Sequence, residues 1–138
     1  MDLLSELKNK GYALISSNGY YSYENGIKPI INKLNEDKIF FKDLIVADKI
    51  VGKASAMLLT LSGVKEVYAQ VMSISGKNIL EQNNIVFHYE TLTDYIINRK
   101  GDDMCPMEKT VLEIDDLEKA YIALNNKVLE MSKNNKQE

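Results

Sequence analysis

Hydrophobic and polar positions along this chain alternate between two periods. Leu3, Leu4 and Leu7 share one helical face over residues 2–10, and Gly11 ends that helix. YALIS (12–16) and YYSY (20–23) flank the turn SNG, a pattern that predicts a β-hairpin. After ENG, the stretch KPIINKLNED (28–37) predicts a short helix with Pro29 near its first position. LIVA (44–47) is a continuous apolar run, the expected end of a buried strand, and feeds a predicted helix over 48–62 that stops at Ser62-Gly63. Then follow a strand over 64–73, a helix over 75–84, a strand over 85–91 and a helical TDYIINRK (93–100) that breaks at Gly101. From Cys105 onward the pattern predicts one or two helices.

Strands separated by helices of this length imply parallel neighbours joined by right-handed crossovers, and the hairpin makes the sheet mixed. The expected fold is a three-layer α/β/α sandwich, with one domain over 1–132 and a disordered polar tail at 133–138. At 138 residues the chain can bury a single well-packed core. Apolar content of 45% and charged content of 27% argue against disorder. A net charge of −3 gives no footprint for nucleic acid. No apolar run reaches the length of a membrane span. The single cysteine precludes an internal disulfide and sets a reducing cytoplasm as the expected location.

Two stretches carry residues that a plain core does not require. VADKIVGKASAML (46–58) places Asp48, Lys49, Gly52 and Lys53 at an apparent helix start. An N-cap role alone would explain Asp48. It leaves Lys49 and Lys53 unexplained, because positive charge in a first turn opposes the helix dipole. An anion held there would reconcile them, and Gly52 would let a ligand or another backbone come close. The second stretch is NRKGDDMCPMEK (98–109), where Cys105, Pro106 and Glu108 fit the cap, first and third positions of a helix. A thiol at a helix start is a candidate nucleophile or acid. Arg99 is a candidate for holding a carboxylate or phosphate. Ser22, in the hairpin, is a candidate for lining the same sheet end. Asp48 is expected as base or orienting carboxylate, beyond the carboxyl ends of the strands where ligands collect.

The string GIKPI…VADKIVGKASAMLL…GVKEVYA…NRKGDDMCPME resembles the family called domain of unknown function eighteen ninety-three, within the cytidine deaminase-like superfamily. The resemblance runs from the hairpin to CPME and implies a cytidine deaminase-like fold. It does not imply zinc chemistry. Zinc deaminases use His or Cys followed by Glu at one helix start, and PCxxC at the next. Here the corresponding segments read Ala47-Asp48-Lys49 and Ser73-Ile74-Ser75-Gly76. The expectation is therefore no metal and no cofactor. The chain would be a non-zinc enzyme acting on a small polar or anionic substrate, or a metal-free module binding a small or nucleotide-like ligand. Neither nucleic acid nor membrane is an expected partner, and the terminal helices leave room for self-association.

Overall fold

The structure, a computed structural model, describes residues 2–98 and 100–136. The amphipathic start forms α1 (Leu3–Lys10), where the Asp2 carboxylate accepts from the Ser5 N–H at 2.8 Å and Gly11 turns the chain at φ 71°. The hairpin is β1 (Leu14–Ser16) and β2 (Tyr21–Ser22), and α2 (Lys28–Glu36) follows with Pro29 in its first turn. The remaining elements are β3 (Ile45–Val51), α3 (Lys53–Leu61), β4 (Glu66–Ser73), α4 (Ile74–Gln82), β5 (Val86–Thr93), α5 (Pro106–Val111) and α6 (Leu117–Lys136). The last helix extends into the polar stretch expected to be a tail.

The five strands form one mixed sheet in the order β2-β1-β3-β4-β5, with β1 antiparallel to both neighbours and β3, β4 and β5 parallel. One face buries Leu14, Val46, Val67 and Ala69 against Ile30, Met57, Leu58, Leu80 and Leu124 of the helices. The other face packs Ile15 and Ala47 under Leu7 of α1. Helices thus lie on both faces, consistent with a three-layer sandwich. No helix among the described residues is long and apolar enough to cross a membrane.

Two expected elements change. The run LIVA does not hand over to a helix at residue 48: β3 continues to Val51, and α3 begins only at Lys53. Pairing on both sides holds 48–51 extended. Leu14 pairs with Asp48 on one side, and Ala69 through Met72 flank Asp48 through Val51 on the other. The Lys49 N–H also donates to the Ala13 carbonyl at 2.9 Å. Asp48 is therefore a strand residue, not a helix cap. Lys49 and Lys53 consequently do not share a helical turn.

The second change is at 93–100, where no helix forms among the described residues. The β5 strand runs to Thr93, and the following segment folds back through an Ile97–Met104 antiparallel bridge. The Asn98 N–H donates to the Asp103 carbonyl at 2.8 Å, and the Cys105 N–H to the Ile96 carbonyl at 2.8 Å. This short return keeps 94–105 near the carboxyl end of β5. A helix would have carried it to the opposite edge.

The starts of α3 and α4 lie against each other. A Cβ on Gly76 would fall 2.9 Å from both the Gly52 carbonyl carbon and the Val51 oxygen. Those are backbone atoms and cannot rotate away. Gly76→Ala should therefore lower stability by about 1–3 kcal/mol, the usual cost of overpacking. Urea unfolding would read it, and an unchanged midpoint would show that the helix starts have slack.

Candidate functional site

The first two N–H groups of α3 meet an internal anion. The Glu108 carboxylate, on α5, accepts from the Lys53 N–H at 2.8 Å and from the Ala54 N–H at 2.9 Å. Gly52 precedes α3 and offers no side-chain cap of its own. A Cβ there would lie 2.3 Å from Glu108 Oε1, so the missing side chain is what admits the carboxylate. Burial pushes the Glu108 carboxyl up, opposed by the two N–H donors and the Lys53 charge. The expected anion at this helix start is thus part of the chain. Glu108 caps α3 rather than its own α5.

Lys53 is occupied as well. Its ammonium donates to the Leu112 carbonyl at the end of α5, at 3.2 Å, and lies 3.7 Å from Asp115 Oδ1. A cation at a helix C-terminus complements the dipole there. Lys53 is therefore a tie between α3 and the α5–α6 corner, and the anion-holding role expected for it is corrected.

Beyond this tie, on the helix-rich side of β3, an open cavity of about 790 Å³ is bounded mainly by four segments. They are Asp48 to Ile50 of β3, the Glu24–Lys28 turn before α2, the 96–103 return, and Cys105 to Met107 at the start of α5. Val128 and Met131 of α6 supply part of its wall. Asp48 and Cys105 border this same space. The return at 94–105 brings Cys105 there.

Asp48 is the unusual group. Only 6% of the residue is exposed, and Oδ1 accepts one long bond, 3.3 Å, from the Ile50 N–H. Among the described residues it has no ion-pair partner, and neither has the exposed Lys49 beside it. Burial pushes its carboxyl up to about 7, against the smaller pull of the Ile50 and Lys49 N–H groups. Asp48 can therefore hold or release a proton near neutral pH.

Cys105 is a free, half-buried thiol at the α5 cap and makes no side-chain capping bond. Ser22 does not border the cavity; its hydroxyl accepts from the Glu24 N–H at 3.0 Å and shapes the turn that does. Arg99 lies outside the described residues, although Asn98 and Lys100 on either side border the cavity. Sequence reasoning missed Lys28, Asn98, Lys100 and Met107. The available signal for Asn98 and Lys100 was their position near Gly101 in a loop that follows a strand, whereas Lys28 and Met107 lie in the first turns of α2 and α5 and gave none. The rim mixes charges, since Lys28, Lys49 and Lys100 border the cavity together with Glu24, Asp102 and Asp103.

The residues at the two helix starts do not suit zinc. Glu108 already fills the α3 start, and Ser73-Ile74-Ser75-Gly76 packs against Gly52 with no thiol or imidazole. Among the described residues no three His, Cys, Asp or Glu side chains are grouped to hold a metal.

The mixed five-stranded sheet with helices on both faces defines an α/β protein with a polar-rimmed cavity over its central strand. Residues 3–128 match the family described as Domain of unknown function (DUF1893), and the chain belongs to that family. The structure is similar to the crystal structure of a DUF1893 family protein from Thermotoga maritima, with a TM-score of 0.82 and 28% sequence identity. The similarity covers 90% of this chain and 86% of that one. No curated protein matches.

Proposed function

We propose that this chain binds a small polar ligand in the cavity over β3 and uses Asp48 to exchange a proton with it, on a cytidine deaminase-like scaffold without zinc. The observation that carries this reading is Asp48 itself. A carboxyl buried to 6% exposure, without a cation among the described residues and held at about 7, is costly to keep for structure alone. Protonated, it donates a hydrogen bond; ionised, it accepts a proton from a ligand hydroxyl or amine. Cys105 borders the same space and supplies a thiol, which makes a nucleophilic step the enzymatic form of the proposal. A ligand-binding module without turnover is the second form. It draws on the lack of any side-chain capping bond at Cys105, so no backbone N–H of the helix start holds the sulfur.

The test is heteronuclear NMR titration with a panel of nucleosides, amino acids, sugars and small dicarboxylates, run on either side of about pH 7. Binding should perturb Ile50, Asn98 and Met107, and Asp48→Asn should weaken it about tenfold or remove its pH dependence. Perturbations that map elsewhere, or equal affinity and pH response in the variant, would remove Asp48 from the site.

A further inference from the structure

The last strand of the sheet, β5, ends the order β2-β1-β3-β4-β5 and has no neighbour on its outer side. Among the described residues no backbone hydrogen bond outside the sheet ladder reaches Val86–Thr93. The strand pairs with β4 in one unbroken register, from Glu66↔Val86 to Ser73↔Thr93, so no bulge twists its edge away. It contains neither proline nor lysine. Val86 is 56% exposed, and Tyr89 and Leu92 are each 38% exposed. Natural edge strands are normally guarded by such devices or by charged side chains; here Glu90 is the one acidic residue, and the unbroken row of outward backbone groups remains open to another strand. None of its residues borders the cavity.

We propose that two copies of this chain pair antiparallel along β5, about a two-fold axis at Tyr89, to form one continuous ten-stranded sheet.

The sequence of the strand selects that partner and that register. A two-fold axis perpendicular to the sheet keeps each α1 layer on the same side, so it must pass through a residue rather than between two. Centred on His88, the axis sets His88 opposite its own copy and Glu90 opposite Val86. Centred on Glu90, it sets two carboxylates opposite each other, which is destabilising. Centred on Tyr89, it sets Val86 opposite Leu92, His88 opposite Glu90 and Phe87 opposite Thr91, each pair occurring twice. Tyr89 then faces Tyr89. Val86 meets Leu92 at the ends, and near the middle an imidazole meets a carboxylate that can accept its N–H.

His88 and Glu90 are not idle in the single chain. His88 Nε2 lies 2.9 Å from Glu66 Oε1, and the imidazole stacks on Tyr68; Glu90 accepts from Lys8 at 2.8 Å. Their side chains nonetheless remain 51% and 41% exposed, so each head group has an open side toward the edge.

Three measurements test the pairing. Light scattering after size exclusion should give a dimer for the wild-type chain at high micromolar concentration. In a Cys105→Ser background, Tyr89→Cys should form an intermolecular disulfide. Directly opposite residues in antiparallel strands have Cα atoms about 4.5–5.5 Å apart, within disulfide reach. His88→Glu sets two carboxylates opposite each other and should weaken the dimer about tenfold or more. Glu90→Lys removes the carboxylate opposite His88 and should also weaken the dimer, and the two changes together, which set Glu opposite Lys, should restore it. A wild-type chain that stays monomeric overturns the proposal. So does a dimer in which Tyr89→Cys fails to cross-link, or one indifferent to both charge changes.

Discussion

Asp48→Asn should make the protein more stable above neutral pH, by on the order of 2–4 kcal/mol, and leave it nearly unchanged below about pH 4. The sign follows from the direction of the shift. The carboxyl stands at about 7 in the folded chain against 3.8 for an ordinary one, so the folded state binds a proton that the unfolded state has already released. The stability tied to that proton is fully present below about 3.8 and is lost as pH rises to about 7, after which the loss is constant. Asparagine has the same shape, keeps an oxygen for the Ile50 N–H and never ionises, so it escapes the loss. Glu108 is pushed in the same direction and adds a slope of its own, which is why the difference between wild type and variant isolates Asp48. Urea unfolding at several pH values reads it. An Asp48→Asn variant that is less stable by the same amount at every pH would mean that Asp48 is an ordinary packing residue. A stabilising substitution at a cavity carboxyl is also what a site kept for function predicts, since function and stability compete there.

Glu108→Ala should cost about 3 kcal/mol, because it strands the buried Lys53 and Ala54 N–H groups and removes the capping charge of α3. Gly52→Ala should cost about 2 kcal/mol or more in the wild-type chain, since its Cβ would displace the same carboxylate. The two effects should not add. All three atoms nearest to a Cβ at position 52 belong to Glu108, so in the Glu108→Ala background the Gly52→Ala change meets far less resistance. It should then cost under about 1 kcal/mol, a coupling of at least about 1 kcal/mol between positions in contact. Additive costs would show that Gly52 is needed for a reason other than admitting Glu108.

These two residues also show how much of the molecule the sequence carries. The strand–helix order, the hairpin turn, the stops at Gly11 and Gly63 and the start of α5 at Cys105-Pro106 are local features, and periodicity and turn chemistry reveal them. The extension of β3 through Asp48 is not local. An acidic residue followed by a lysine and an apolar face reads as a helix start, and only the two flanking strands hold it extended. The misreading of 93–100 has a related cause: its apolar residues close a short return through Ile97–Met104 rather than face a core. The unexplained charges in the ADKIVGKA and CPME stretches did mark a real junction. Its occupant lies in the chain itself, 55 positions from Lys53. No spacing rule links two residues that far apart. The cavity is less legible still, because segments far apart in the chain border it and much of its polar rim comes from loops.

Carbon-detected NMR of the Asp48 carboxyl, followed across the pH range, tests the central claim most directly. The account predicts a titration midpoint at about 7, with Ile50 N–H reporting the same midpoint as the carboxylate it contacts loses its charge. A midpoint near 3.8 would contradict it, because Asp48 would then be an ordinary ionised carboxylate with no proton to exchange at neutral pH.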